Sequence, residues 1–156
     1  MTEKSFDPDI VSQIVARHSG RAELLLQVLH GVMDAIGWIP DDVIRQLANE
    51  LNLSRADVHG VVSYYDDFRT SPPGKHVIKV CQAEACQAMG ARELGQHIER
   101  SLGVAMHEST TEITLQPVYC LGNCACSPAV MIDNKTYGKV TLQRFDELVE
   151  SLAGGR

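Results

Sequence analysis

The sequence predicts a two-part chain of the α/β class, a helical bundle over residues 1–70 followed by an α/β domain over residues 71–156. Three observations predict it. Apolar residues recur at three- and four-residue steps before residue 70; Arg69-Thr-Ser-Pro-Pro-Gly-Lys75 then breaks any regular element; and after it short β-branched runs alternate with helical spacing. Leu25, Val28, Leu29, Val32 and Ile36 make one apolar helix face, and Val43, Ile44, Leu47, Ala48 and Leu51 make another. Pro40 stands near the start of the second, where a missing N–H costs little, and Asp41 and Asp42 complement the positive end of its dipole. A third helix begins at Ser54, with Asp57 in the reciprocal capping position, and runs through Val58, Val61, Val62 and Tyr65. Gly60 inside it costs about 1 kcal/mol relative to Ala, so it marks either a close helix crossing or a tolerated poor helix former. At this spacing Trp38, Tyr64 and Tyr65 read as core, with a partner-facing role as the alternative.

Beyond the proline pair, His76-Val-Ile-Lys-Val80 reads as a buried strand running into Cys81. Ala91, Leu94, Ile98 and Leu102 mark a helix closed by Gly103. Further strands are expected over Ile113–Tyr119, Ala129–Ile132 and Thr136–Val140, the last two joined by an Asp133-Asn134 turn. Phe145, Leu148, Val149 and Leu152 form a final helix with Thr141 as its cap and Asp146, Glu147 and Glu150 on its wet side. A strand, a crossover helix and a second strand make a right-handed parallel unit, which brings the two strand ends to one edge of the sheet. Cys81 and Cys120 are expected at those ends.

Composition narrows the function. Fourteen Lys and Arg against twenty Asp and Glu give a net charge of −6, the wrong sign for a nucleic-acid surface. The most apolar stretch, Leu24 to Ile39, is interrupted by Gln27, His30 and Asp34, so no membrane span is expected. The polar, acidic start lacks the basic and apolar regions of a secretory signal, which makes a cytoplasmic location the expectation. No glycine-rich turn follows a strand in the way a phosphate-binding loop requires, so a nucleotide or flavin site within the chain is not expected.

Chemistry concentrates in the cysteines. Five is an odd number, and none precedes Cys81. Cys81-Gln-Ala-Glu-Ala-Cys86 forms one group and Cys120-Leu-Gly-Asn-Cys124-Ala-Cys126-Ser-Pro128 the other. Two short-spaced pairs on adjacent loops bring four thiolates together at little ordering cost, as an iron–sulfur core requires. Gly122 permits a positive-φ turn or a close approach to sulfide, and Glu84 and Asn123 inside the loops are candidates for tuning. Structural zinc also takes four thiolates, though its usual spacers are shorter and matched. A dithiol couple between Cys124 and Cys126 is the third reading, with one intervening residue where the thioredoxin motif has two. His76, His97 and His107 lack the spacing of Rieske ligation.

Four motifs in order carry a family resemblance over nearly the whole chain. They are Gly37-Trp-Ile-Pro40, Val58-His-Gly-Val-Val-Ser-Tyr-Tyr65, Pro73-Gly-Lys-His-Val-Ile-Lys-Val-Cys81 with Cys86, and Cys120-Leu-Gly-Asn-Cys124 followed by Pro128. The sequence resembles the thioredoxin-like [2Fe-2S] subunits of NADH-linked complexes: the 24 kDa subunit of NADH:quinone oxidoreductase and the gamma subunit of NAD-dependent formate dehydrogenase. The resemblance implies a thioredoxin-like [2Fe-2S] ferredoxin domain preceded by a helical bundle, with Cys81, Cys86, Cys120 and Cys124 as the ligands of one cluster. Cys126 matches no family ligand. The implied role is one-electron transfer beside the FMN of a separate NAD-binding flavoprotein subunit, without catalysis by this chain alone. The larger catalytic subunit of the same complex is a further partner, and the helical bundle is expected to dock. The short chain directs the expected parent toward a soluble formate dehydrogenase, with the respiratory complex and an NAD-reducing hydrogenase as alternatives. A zinc-binding adaptor is the alternative of a different class.

Overall fold

Asp7 opens the first helix by accepting a hydrogen bond from the Asp9 amide at 3.0 Å, while Pro8 occupies the first turn. The computed structural model describes residues 7–154 and separates into two compact units, Met1–Pro72 and Pro73–Arg156. In the first unit, α1 (Pro8–Arg17), α2 (Leu25–Ile36), α3 (Asp41–Glu50) and α4 (Arg55–Tyr64) enclose one apolar core. Val11, Val28, Leu29, Val32, Ile39, Val43, Leu47 and Val58 in it are wholly buried. Glycine ends α2: the N–H of Gly37, at φ 87°, donates to the Met33 carbonyl.

The capping box of α4 is formed as expected. The Asp57 amide donates to Ser54 Oγ and the Ser54 amide to Asp57 Oδ2, both at 3.1 Å. Among the described residues a Cβ at Gly60 would meet nothing within 4 Å, which favours the second of its two readings, a tolerated poor helix former. One expectation is corrected. Tyr64 is 79% exposed and Tyr65 42%, so neither is core; α4 buries Val58 and Val62, and Tyr64 points away from that stripe before the helix ends.

The second unit is a four-stranded sheet in the order β2-β1-β3-β4. These are β1 (His76–Cys81), β2 (Ile113–Val118), β3 (Val130–Ile132) and β4 (Lys135–Tyr137). β1 pairs in parallel with β2, from His76 opposite Ile113 to Cys81 opposite Val118, and antiparallel with β3. The crossover between the parallel strands contains α5 (Glu84–Ala88) and α6 (Ala91–Leu102), and α7 (Leu142–Gly154) follows the hairpin. Asp133 and Asn134, at φ 47° and 66°, make the two-residue hairpin loop between β3 and β4. Ile78, Val80, Leu115 and Val130 of the sheet share a core with Leu94 and Ile98 of α6 and Phe145 and Leu148 of α7. The fourth strand ends at Tyr137 rather than Val140, and the second at Val118, two residues before Cys120.

Candidate metal centre

The site lies where β1 runs out. Cys81 is the last residue of that strand, and its amide donates to the Ala129 carbonyl at 3.1 Å while the next amide, of Gln82, donates to Val118 at 2.8 Å. The strand end is thereby tied on both sides, to β2 and to the segment entering β3. Cys86 sits in α5 and is buried with Cys81 among Ala91 and Ala129, with Ala83, Val118 and Leu121 packed around them. Cys120 and Cys124 are exposed, their sulfurs 3.9 Å apart. Gly122, at φ 70°, turns its amide onto Cys120 Sγ at 3.3 Å.

The two loops reach across to one another. Ser127, also buried, places its hydroxyl 3.4 Å from Cys86 Sγ and 2.8 Å from the Cys124 carbonyl. Burial pushes the Cys81 thiol up, against the amides of Ala83 and Leu121. Burial acts the same way on Cys86, but Ser127, Cys81 and the Ala129 amide outweigh it and hold that thiol below its ordinary value. Cys124 is pushed up by its hydrogen bond to Cys120 and by charge on Cys120, with a smaller contribution from charge on Cys86. Charge on Cys86 of the first loop is thus felt at Cys124 of the second.

The sulfurs stand as two pairs, Cys81 with Cys86 and Cys120 with Cys124. Among the described residues no three His, Cys, Asp or Glu side chains gather closely enough to hold one ion. Two thiolate pairs with backbone N–H groups directed at the sulfurs fit the donor set of a binuclear iron–sulfur core.

Residues 11–153 match the thioredoxin-like [2Fe-2S] ferredoxin family. The chain belongs to that family. The cofactor of thioredoxin-like [2Fe-2S] ferredoxins is a [2Fe-2S] cluster. Among curated relatives, a subunit of the NADH-quinone oxidoreductase of Pseudomonas aeruginosa is 34% identical over 128 residues, covering 81% of this chain and 77% of the relative. Its counterpart in the NADH-quinone oxidoreductase of Escherichia coli K12 is 33% identical, covering 80% and 76%. An NAD+-reducing [NiFe]-hydrogenase in the H2-reduced state shares the fold, with a TM-score of 0.72 and 20% identity over 87% of this chain. The match spans 23% of that hydrogenase chain.

Of the residues expected to tune the site, Glu84 is exposed on α5, and Asn123 directs its carbonyl to the Cys126 amide at 2.9 Å. Cys126 is held by its backbone, its carbonyl accepting from Lys139 at 2.6 Å. A Cβ at Gly138 would stand 2.6 Å from Cys126 Cβ and 2.7 Å from Asn123 Nδ2, so only glycine lets the residue after β4 pack on the second loop. His76 and His97 are engaged by Asp133 and Asp146 at 2.6 and 2.7 Å. Sequence reasoning missed Ser127 and Gly138. The Ser-Pro pair after Cys126 is visible in the sequence, but its reach to Cys86 depends on β1 lying beside β3.

Proposed function

We propose that Cys81, Cys86, Cys120 and Cys124 hold one [2Fe-2S] cluster and that the chain is an electron-transfer subunit of an NAD(H)-linked oxidoreductase complex. The observation that carries this reading is the joining of the two cysteine loops, Ser127 Oγ standing 3.4 Å from Cys86 Sγ and 2.8 Å from the Cys124 carbonyl, with Cys124 Sγ 3.9 Å from Cys120 Sγ. The cluster supplies a one-electron store, whereas NADH delivers electrons as a hydride pair. The chain's own residues bury one thiol pair, leave the other at the surface and direct N–H groups to the sulfurs.

The partner in this proposal is an FMN- and NAD-binding flavoprotein, with a larger catalytic subunit in the same complex. Exposed Met89, at 62%, and Tyr119, at 63%, stand three residues after Cys86 and one before Cys120, and aromatics and Met favour interface cores. Tyr64 and Tyr65 give the helical unit an exposed aromatic pair for docking. The names of the curated relatives support NADH:quinone oxidoreductase as parent, and the shared fold is consistent with the NAD-reducing hydrogenase. A soluble formate dehydrogenase, the parent first expected from the sequence, has no support from these relatives, and the motifs are shared by the respiratory subunit.

Iron and acid-labile sulfide analysis of anaerobically prepared protein tests the cluster: about two of each per chain is expected. Zinc in their place, or a reducible disulfide without metal, overturns it. Purification of the intact complex from the source organism separates the parents by metal, with molybdenum or tungsten for formate dehydrogenase, nickel for the hydrogenase, and quinone reduction without either for the respiratory enzyme.

A further inference from the structure

Ser127 is one of two buried polar side chains among the described residues, the other being Thr114. Its hydroxyl joins the two cysteine loops, with Cys86 Sγ at 3.4 Å on one side and the Cys124 carbonyl at 2.8 Å on the other. A serine hydroxyl has one proton to donate. While Cys86 is a thiol, its S–H points to Ser127 Oγ and the hydroxyl proton goes to the Cys124 carbonyl, so every group is served.

Ligation to iron removes the thiol proton and leaves Cys86 Sγ an acceptor only. The hydroxyl can then turn about its Cβ–Oγ bond with no heavy atom moving. Nothing is orphaned by that rotation, because the Cys124 carbonyl also accepts from the Ser127 backbone amide at 3.3 Å. We propose that Ser127 is a positioning residue for the redox site, donating its hydroxyl hydrogen bond to the ligated sulfur of Cys86 and thereby raising the reduction potential. This inference rests on the ligand assignment made under Proposed function. A donor at a ligand sulfur favours the state with more negative charge, so it favours the reduced form when one electron enters. The proton stays on Oγ throughout, and the electron comes from the external reductant.

The test is a mediated dithionite titration of the full-length, cluster-loaded chain, followed by visible absorption and paramagnetic resonance, comparing wild type with Ser127→Ala. At the wild-type midpoint, Ser127→Ala is expected to lower the ratio of reduced to oxidised protein at least threefold with the oxidised spectrum retained. An unchanged midpoint overturns the proposal. If Ser127→Ala does not load, the near-isosteric Ser127→Thr and Ser127→Val replace it: a higher potential for Thr than for Val supports the hydroxyl donor, and equal potentials overturn it. Failure of all three variants to load also overturns it, since a residue required for assembly is not one that adjusts an assembled site. A wild-type chain that carries no [2Fe-2S] spectrum is a different result, and it removes the ligand assignment instead.

Discussion

Cys124 and Cys126 are separated by a single alanine, yet their surroundings differ. Cys124 Sγ lies 3.9 Å from Cys120 Sγ, whereas Cys126 is pinned against Gly138 with its carbonyl held by Lys139. Cys124→Ser is therefore expected to abolish or badly distort the visible and paramagnetic spectra, while Cys126→Ser leaves them nearly unchanged; the reverse pattern would exchange the two residues' roles. Gly138→Ala tests the packing of the same loop. Its methyl group would meet the Cys126 carbonyl oxygen at 2.8 Å, and because that neighbour is backbone it cannot rotate aside. A loss of about 1–3 kcal/mol in chemical denaturation is expected, and a neutral result would show that the loop yields easily.

At the scale of the element, α4 depends on its cap. The Ser54 hydroxyl, and after it the Ser54 amide, hold the Asp57 carboxyl below the ordinary carboxylate value, against a small opposing effect of burial. Because the folded state has the lower value, the contribution of Asp57 is present above the unfolded value of about 3.9 and is lost as pH falls through the folded one. Melting temperatures of wild type and Asp57→Asn should therefore converge as pH drops through this range, and a constant gap would separate the cap from the ionisation. Ser54→Ala should cost about 1 kcal/mol at neutral pH. The cap, α2, α3, α6 and the parallel pairing of β1 with β2 are legible in the sequence because each follows from local spacing or from crossover handedness. α1 is absent from the elements expected above although Ile10, Val11, Ile14 and Val15 carry helical spacing, and α5 has no signal, since five residues of Glu-Ala-Cys-Gln-Ala show no apolar period. The two cysteine groups can be read by spacing and resemblance. The exposure of Tyr64 and the approach of Ser127 to Cys86 cannot, because they are set by tertiary placement.

At the scale of the whole molecule, the buried apolar side chains of the described residues group by stretch of sequence. Every buried member of the helical core lies between Val11 and Phe68, and every buried member of the sheet core and of the cluster around Cys81 lies between Ile78 and Leu148. Ligation couples to folding only where the ligands are. Removal of iron by a chelator is thus expected to speed amide hydrogen exchange in Pro73–Arg156 and leave Met1–Pro72 near its original protection; equal loosening of both would show that ligation is coupled to the folding of the helical unit as well. The placement of β1 between β2 and β3 also orders events during synthesis. The final residue of β1 cannot be fixed until its neighbours on both sides have left the ribosome, the farther of them ending at Ile132. A chain released only as far as Cys124 would carry all four proposed sulfur ligands without the Ala129 carbonyl that holds the Cys81 amide, so the frame of the centre is completed only once translation has nearly reached the last helix.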